Sequence, residues 1–187
     1  MFEIIKRWDD AILLFINNHH NSFWDTAMWF ASGIQSWFPL YAFIIILLIV
    51  KFKKQSWLLI FLIIPLIIMS DQLASGIIKP LLHRLRPSHN RDLDHLLHYV
   101  NRYRGGLYSF PSSHATNFFA LATYLSLVTL KKIKWMPCLL FPVALFVCYS
   151  RIYLGVHYPS DILAGAILGS FLGWLISKLY YWATNPE

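Results

Sequence analysis

The sequence predicts an all-α fold: an integral membrane helical bundle with five to six transmembrane helices and an N-terminal interfacial helix. Its composition is 57% hydrophobic and only 13% charged, whereas soluble domains carry roughly 25% charged residues. Long apolar runs alternate with short polar loops, and each span needs about 20 residues. The 187 residues therefore fit a single membrane-embedded domain.

The first twenty residues are predicted to form a helix that lies in the membrane interface. Four apolar residues recur there at helical spacing: Ile5, Trp8, Ile12 and Ile16. Charged residues stand between them, as in an amphipathic surface helix. Asp9 and Asp10 interrupt the apolar core that a cleavable signal peptide would need, so insertion is expected to depend on the internal segments.

The apolar segments follow in order along the chain. Residues 26–50 carry no charge and are predicted to form a short buried or re-entrant helix followed by a span. Residues 57–78 form the next span, and polar groups in its last turns indicate that it ends in a protein interior. Three further runs are predicted to be helical: residues 105–130, 135–149 and 162–177.

The charges divide the loops between two faces of the bundle. Short lysine-rich loops at residues 51–54 and 131–134 are typical of the cytoplasmic side. Loops 79–104 and 151–161 then lie on the opposite side, and they hold all but one of the arginines. A count of positive charge alone would make that side cytoplasmic too. Because these arginines are grouped with histidines, they are interpreted as ligand-binding groups and the lysine loops decide the orientation.

A first motif, "KPLLHRLRP", gathers basic residues at the start of the second face. Lys79, His83 and Arg86 stand at i, i+4 and i+7, so one or two helical turns would align them. Pro87 disfavours helix at the residue before it. An isolated basic cluster is more often a juxtamembrane collar. The alternative is an anion cradle, since guanidinium groups match phosphate oxygens.

A second motif, "PSSH", precedes a long apolar run. Pro111, Ser112 and Ser113 are cap and first-turn residues, so a helix is predicted to begin here with free backbone N–H groups that can bind an anion. An ordinary N-cap of a membrane helix is the alternative for the serines alone. His114 lies within the first turn, where it could give a proton to a group bound at the helix end.

A third motif, "SRIYLGVHYPSD", supplies Arg151 and places His157 four residues before Asp161. Such a carboxylate can accept the imidazole N–H and leave the other ring nitrogen free to act. A lone pair at this spacing is more often structural. Beside two anion-binding elements, it indicates a nucleophile with its orienting partner.

The three motifs, with their order and internal spacing, resemble the signatures of the type 2 phosphatidic acid phosphatase superfamily, which includes membrane lipid phosphatases, bacterial acid phosphatases and vanadium haloperoxidases. The likeness covers residues 79–161. It implies a phosphate site in which the cations neutralise the phosphate while Ser112 and the backbone at Ser113 hydrogen-bond its oxygens. The implied cations are Lys79, Arg86 and Arg151.

The resemblance also implies the chemistry. His157 would attack phosphorus to form a phosphohistidine, Asp161 would orient it, and His114 would protonate the leaving alkoxide. Water activated by His114 would then release phosphate. The family often has glycine where this chain has Ser113, whose hydroxyl either donates an extra hydrogen bond to the phosphate or is a spectator.

No cofactor or metal is expected. The sequence lacks the clustered carboxylates of a magnesium site. Four histidines lie close together in the chain, but their spacing matches no zinc pattern: they are His83, His89, His95 and His98. Three fixed cations and a helix end can stabilise phosphoryl transfer without a metal ion.

The resemblance implies a lipid phosphate as substrate and the bilayer as the other partner, with no role for nucleic acid and an oligomeric state left open. The candidates are undecaprenyl diphosphate, phosphatidylglycerophosphate, phosphatidic acid and lipid A. The compact form suggests a multi-pass enzyme of the bacterial inner (cytoplasmic) membrane, with its active site on the periplasmic or outer side. A lipid or anion transporter, or a binding protein, would also use a basic pocket, and phosphate release separates these classes.

Overall fold

The computed structural model of the chain describes residues 2–184 and confirms the all-α membrane bundle. Within this part, β structure is limited to one bridge between Leu85 and Tyr108. The α-helices are α1 (Phe2–Asn18), α2 (Ser22–Ser32), α3 (Phe38–Phe52), α4 (Ser56–Phe61), α5 (Ile63–Asp71), α6 (Lys79–Leu82), α7 (Ser113–Thr129), α8 (Met136–Tyr153) and α9 (Pro159–Thr184). A π-helical segment, Gln72–Ile78, joins α5 to α6.

Helix α1 turns its apolar side outward. Trp8 and Phe15 are among its most exposed side chains, whereas Asp9, Leu13 and Asn17 are buried at i, i+4 and i+8. This arrangement is typical of a helix whose apolar face meets lipid and whose inner stripe meets protein. The predicted interfacial helix thus has a polar inner contact.

Three helical stretches are long and apolar enough to cross a membrane: Ile34–Leu82, Met136–Tyr153 and Pro159–Thr184. Within the first stretch, the backbone at Lys53 has a φ of 50°, and α3 ends there before α4 begins. Helix α7, with 17 residues, packs against both α8 and α9. The number of spans stays a prediction.

Helix α7 connects the two ends of the bundle. At one end, the Lys132 ammonium donates to the Lys51 carbonyl at 3.4 Å, so the two lysine-rich loops lie at the same end of the bundle. The helix is about 25 Å long at 1.5 Å per residue. Its other end begins at Ser113, beside Lys79, which places the arginine-rich loops at the opposite end of the bundle.

A row of glycines on α9, here called the glycine interface, brings the backbones of α7 and α9 into contact. Its members are Gly165, Gly169 and Gly173, one turn apart. A Cβ at Gly169 would lie 2.1 Å from the Thr116 carbonyl oxygen, far inside van der Waals contact. Small residues at this spacing let membrane helices approach closely. The backbone amide of Ser112 also donates to the Asp161 carbonyl at 3.0 Å, so the start of α7 is fixed against the start of α9.

The predicted helical alignment of Lys79, His83 and Arg86 is wrong. Helix α6 ends at Leu82, and His83 adopts the left-handed conformation with φ of 48°. Arg86 is extended, and its amide donates to the Leu107 carbonyl at 3.0 Å. Pairing with this distant segment overrides the local helical pattern. Lys79 and Arg86 therefore reach the same site through a loop, while His83 packs edge-on against Tyr108.

Candidate active site

The three sequence motifs meet at the N-terminal end of α7. Lys79 donates from its ammonium to the Ser113 hydroxyl at 2.9 Å. Arg86 and Arg151 are only 8% and 2% exposed. These three residues are called the cation cluster below. The structure thus brings together the three cations that the sequence assigned to the phosphate.

Arg86 is held in place by backbone carbonyls. Its Nε donates to the Tyr108 carbonyl at 3.1 Å and its Nη1 to the Val156 carbonyl at 3.3 Å. Gly105, with φ of 68°, passes so close that a Cβ there would lie 2.7 Å from Nη1 of Arg86. Burial, followed by the charge of Arg151, lowers the pKa of Arg86 to about 10. The guanidinium is still charged at neutral pH.

Arg151 is held by hydroxyl groups from two distant segments. Its Nη1 donates to the Ser32 hydroxyl at the end of α2, and its Nη2 donates to the Tyr103 hydroxyl at 3.1 Å. Its buried Nε has no hydrogen-bond partner among the described residues. No local sequence pattern indicates Ser32 or Tyr103, since both contacts are long-range.

The cation cluster has no carboxylate partner within the part of the chain that the structure describes. None of the ion pairs in residues 2–184 includes Lys79, Arg86 or Arg151. Their hydrogen bonds go instead to neutral hydroxyl and carbonyl oxygens. Buried charges are costly unless they are paired. Three cations at one place without an ion pair favour an anion with several oxygens, such as a phosphate.

His157 and Asp161 lie side by side in the interior, where they are 1% and 0% exposed. The distance from His157 Nδ1 to Asp161 Oδ2 is 3.5 Å, longer than a good N–H···O hydrogen bond, and Nδ1 has no other partner among the described residues. Oδ2 accepts the backbone N–H of Tyr158 at 2.9 Å. Catalytic hydrogen bonds are often long in the unliganded state.

The environment of His157 keeps its imidazole neutral. Burial lowers the pKa of His157 well below 6.5, and the charges of Arg86, Arg151 and Lys79 lower it further. A neutral imidazole has a free lone pair at physiological pH. The side chain can therefore act as a nucleophile beside the cation cluster.

Ser112 and Ser113 begin α7, as the sequence predicts. Ser112 is the N-cap and is fully buried, with its hydroxyl 3.4 Å from the Ala115 amide. The Ser113 hydroxyl is bonded to Lys79 and lies 2.7 Å from the Ser75 hydroxyl. Ser113 thus contacts the lysine ammonium, and its hydrogen bond to a phosphate stays a prediction.

An apolar pocket of about 340 Å³ opens between α3, α5 and α7. Ile44, Ile63 and Leu121 are among the side chains that line it, and His114 and Asn117 supply polar groups. His114 lies in the first turn of α7, so this pocket reaches the end of the helix where the motifs meet. The sequence predicted the role of His114 but not this pocket.

Two charged residues beside the site were not predicted to belong to it. Arg84 Nη1 donates to Asp161 Oδ1 at 2.7 Å, and Arg84 Nη2 donates to Asp9 Oδ2 at 2.7 Å. Asp9 is only 3% exposed although it lies on the interfacial helix α1. The sequence feature that could have identified Asp9 is its spacing with Leu13 and Asn17, which places the three residues at i, i+4 and i+8 on one face of α1.

The four clustered histidines do not form a metal site in the described residues. Of these, only His98 belongs to a group with several possible ligands, together with His20 and Asp25. The His20 and His98 rings are stacked 3.6 Å apart at an interplanar angle of 7°. A metal ion lies close to the plane of each imidazole that binds it, so two parallel rings cannot share one ion in this arrangement. His98 instead pairs with Asp25 at 2.9 Å and attaches its loop to α2.

Comparison with known proteins gives a consistent result. Residues 58–185 match the family model described as the PAP2 superfamily. The lipid A 4′-phosphatase of Bacteroides thetaiotaomicron is 40% identical over 94% of this chain and 78% of that protein. The lipid A 4′-phosphatase of Porphyromonas gingivalis is 31% identical over 98% of this chain and 77% of that protein.

Two solved structures have a similar fold. The transmembrane PAP2 type phosphatidylglycerolphosphate phosphatase of Bacillus subtilis superposes with a TM-score of 0.69 and 22% identity, covering 94% of this chain and 86% of that one. The Aquifex aeolicus LpxE structure superposes with a TM-score of 0.61 and 26% identity, covering 90% of this chain and 93% of that one.

Proposed function

Since this chain belongs to the PAP2 superfamily and is an integral membrane phosphatase acting on lipid phosphates, we propose that it removes the 4′-phosphate of lipid A through a phosphohistidine intermediate. Two relatives aligned over most of both chains bear the name lipid A 4′-phosphatase. That similarity supports lipid A among the four lipid phosphates considered from the sequence.

One observation carries the proposed chemistry: two buried arginines and the half-buried Lys79, none of them in an ion pair with the described residues, lie beside a neutral, buried histidine. Phosphoryl transfer depends on positioning and on neutralising charge. Lys79, Arg86 and Arg151 supply the positive charge, while the N-terminus of α7 supplies backbone N–H groups. A transporter would use the cations but has no need of a histidine beside a buried carboxylate.

In the first step, His157 attacks phosphorus from its Nε2 atom. A P–N bond forms as the bond between phosphorus and the sugar oxygen breaks, and the electron pair leaves with that oxygen. Protonated His114 gives its proton to the oxygen, and the dianionic phosphate favours this protonated form by offsetting the nearby cations. Asp161 accepts the Nδ1–H of the phosphoimidazole as the 3.5 Å distance shortens.

In the second step, water replaces the histidine on phosphorus. Neutral His114 takes a proton from the water, whose oxygen forms a new P–O bond as the P–N bond breaks. Inorganic phosphate leaves, His157 returns to its neutral form, and His114 is protonated for the next turnover. Both steps use the same cations, because the same phosphoryl oxygens carry the developing charge.

The apolar pocket supports a lipid as the leaving group. It adjoins His114, which protonates the leaving oxygen in this mechanism. Apolar walls with a few polar groups at one end are typical of a site for an amphipathic ligand. An acyl chain of lipid A therefore occupies the pocket while the phosphate reaches the cation cluster.

The lysine-rich loops support a cytoplasmic location for one end of the bundle. The candidate active site lies at the other end. We therefore place the enzyme in the bacterial inner membrane with this site facing the periplasm, where it acts on the outer leaflet.

The test is a panel of lipid phosphates presented to the purified protein in detergent. Lipid A, undecaprenyl diphosphate, phosphatidylglycerophosphate and phosphatidic acid are compared by phosphate release, and mass spectrometry identifies the position lost from lipid A. We expect lipid A to be preferred by at least about tenfold and to lose its 4′-phosphate. Preference for another lipid would refute the substrate, and no release from any lipid would refute the activity.

A variant of the nucleophile tests the mechanism separately. His157→Ala is expected to lower turnover by at least about 10³-fold, and brief reaction of the wild type with radiolabelled substrate should give an acid-labile phosphoprotein. His157→Gln keeps the volume of the buried side chain and serves where the alanine variant does not fold. Activity retained by a folded His157 variant would contradict the phosphohistidine step.

A further inference from the structure

A buried aspartate on the interfacial helix contacts the catalytic side of the bundle. Asp9 Oδ1 accepts the backbone N–H of Ser160 at 2.9 Å, and Asp9 Oδ2 accepts Arg84 Nη2 at 2.7 Å as well as the Ser160 hydroxyl. All of these contacts cross at least 75 residues of sequence. Most other side chains of α1 are exposed. Asp9 is thus placed by the tertiary structure to interact with the start of α9.

Arg84 connects this aspartate to Asp161. Its Nη1 donates to Asp161 Oδ1 at 2.7 Å and to the Ser160 hydroxyl at 2.7 Å. Its guanidinium also lies 4.2 Å from the centre of the Tyr158 ring. A planar group held at both nitrogens and on one face has little freedom to rotate.

The orientation of the Asp161 carboxylate follows from these contacts. Arg84 holds Oδ1, and the backbone N–H of Tyr158 holds Oδ2 at 2.9 Å. Oδ2 is the oxygen nearest to His157. Two fixed donors therefore determine which oxygen faces the imidazole.

The charges give Asp9 a second effect. Asp161 is 0% exposed, and a buried carboxylate needs a compensating partner. Arg84 alone would neutralise it and reduce its attraction for a cationic imidazole. Because Asp9 shares the charge of Arg84, the three groups Asp9, Arg84 and Asp161 keep one net negative charge beside His157.

We propose that Asp9 is a positioning residue of the active site, which acts through Arg84 to fix the orientation of Asp161 and to keep a net negative charge on the three groups beside His157. This inference rests on the proposed function of the site. It makes α1 a part of the catalytic structure in addition to its role at the membrane interface. Asp9 touches neither the substrate nor His157 in this arrangement, so its effect is on the catalytic step and not on phosphate binding.

The test compares Asp9→Asn with Asp10→Asn in the full-length protein. Both changes remove one charge from the same helix, but Asp10 forms no ion pair with the described residues. We expect Asp9→Asn to lower kcat by about 10- to 100-fold, with KM for lipid A and inhibition by vanadate both nearly unchanged. Asp10→Asn should behave as the wild type.

A double-mutant cycle separates positioning from general destabilisation. Arg84→Gln alone should lower kcat to a similar degree, and the double variant Asp9→Asn/Arg84→Gln should lose no more than the worse single variant. Where Asp9→Asn does not fold, Arg84→Lys gives the same test, because lysine keeps the charge but cannot hold both carboxylates.

The outcomes distinguish this inference from the proposed function. Full activity of folded Asp9→Asn, additive losses in the cycle, or a loss confined to KM would each overturn the inference while leaving the proposed function intact. A wild-type protein that releases no phosphate from any lipid would overturn both.

Discussion

Arg84 and Arg86 are two residues apart and have opposite surroundings. Arg84 is bonded to two carboxylates, Asp9 and Asp161. Arg86 is bonded only to backbone carbonyls and has no ion pair among the described residues. The charge of the first is neutralised within the protein, whereas the charge of the second is left for a ligand.

This difference in surroundings separates two roles of arginine that cannot be distinguished in the sequence. Both arginines stand in "HRLRP", and both are partly or fully buried. A paired arginine orients its carboxylate partners, while an unpaired one attracts an anion.

Removing an unpaired cation should weaken phosphate binding and transfer directly. We expect Arg86→Ala to lower kcat/KM by about 10²- to 10³-fold, because the transition state loses a fixed positive charge. Inhibition by vanadate should weaken in parallel, unlike in the Asp9→Asn variant. Phosphate release and vanadate titration measure both effects. Arg7→Ala, a change at an exposed arginine of α1, is the control; equal losses in the two variants would contradict the distinction.

The geometry of the cation cluster depends on the glycine interface. Gly169→Ala places a methyl group where only 2.1 Å is available to the Thr116 carbonyl, so α7 and α9 must separate. We expect a loss of stability of about 1–3 kcal/mol and a fall in activity, measured by thermal unfolding in detergent and by phosphate release.

Gly106→Ala is a matched control for this change, since a Cβ at Gly106 meets nothing within 4 Å. A Gly169→Ala protein as stable and active as Gly106→Ala would show that the helices are not in fixed backbone contact.

The pH dependence of activity should change when an unpaired cation is removed. Burial and then the cations lower the pKa of His157 below 6.5, so the imidazole loses its lone pair only as the pH falls through that lowered value. Protonation of His157 should therefore cause no loss of activity near pH 6.5. In Arg86→Ala one cation is absent, the pKa of His157 rises, and the acid limb of kcat/KM should move to higher pH. Ionisation of the free substrate affects the wild type and Arg86→Ala equally, so it does not contribute to the difference between their pH profiles. An acid limb at the same pH in both proteins would contradict the assignment of that limb to His157.

A chelator should have the smallest effect. The cation cluster supplies the charge that a divalent metal would supply, and it repels such an ion. We expect turnover in excess EDTA to stay within about twofold of the untreated value, as measured by phosphate release. Loss of activity that magnesium or zinc restores would overturn the metal-independent mechanism.

Much of the site could be anticipated because its residues form local motifs. The spacing of His157 and Asp161 and the cap of α7 are properties of short segments, and the structure places them where the three motifs meet. The apolar runs likewise indicated the helices, since composition alone separates lipid-facing segments from loops. The catalytic roles of these residues stay predictions.

Other features could not be anticipated, for physical reasons. The contact of Asp9 with Arg84 crosses 75 residues and that of Ser32 with Arg151 crosses 119, so neither has a local pattern. The helical reading of "KPLLHRLRP" was wrong because pairing with residues 107–109 determines the backbone at Arg84–Arg86. The glycines at 165, 169 and 173 are the exception, because small residues at this spacing are a sequence signal of close helix packing.

Substitutions should be tolerated on one face of helix α7 and not on the other. The face of α7 that carries Thr116 contacts the α9 backbone directly. A side chain in place of a glycine of the glycine interface would fit only if the two helices moved apart. The other side, with Phe118, Leu121 and Leu125, borders an open pocket. Swaps among large and small apolar residues there would alter the length or branching of the accepted chain while the phosphate site keeps its geometry. Redesign for a new lipid should therefore begin on the pocket side of this helix.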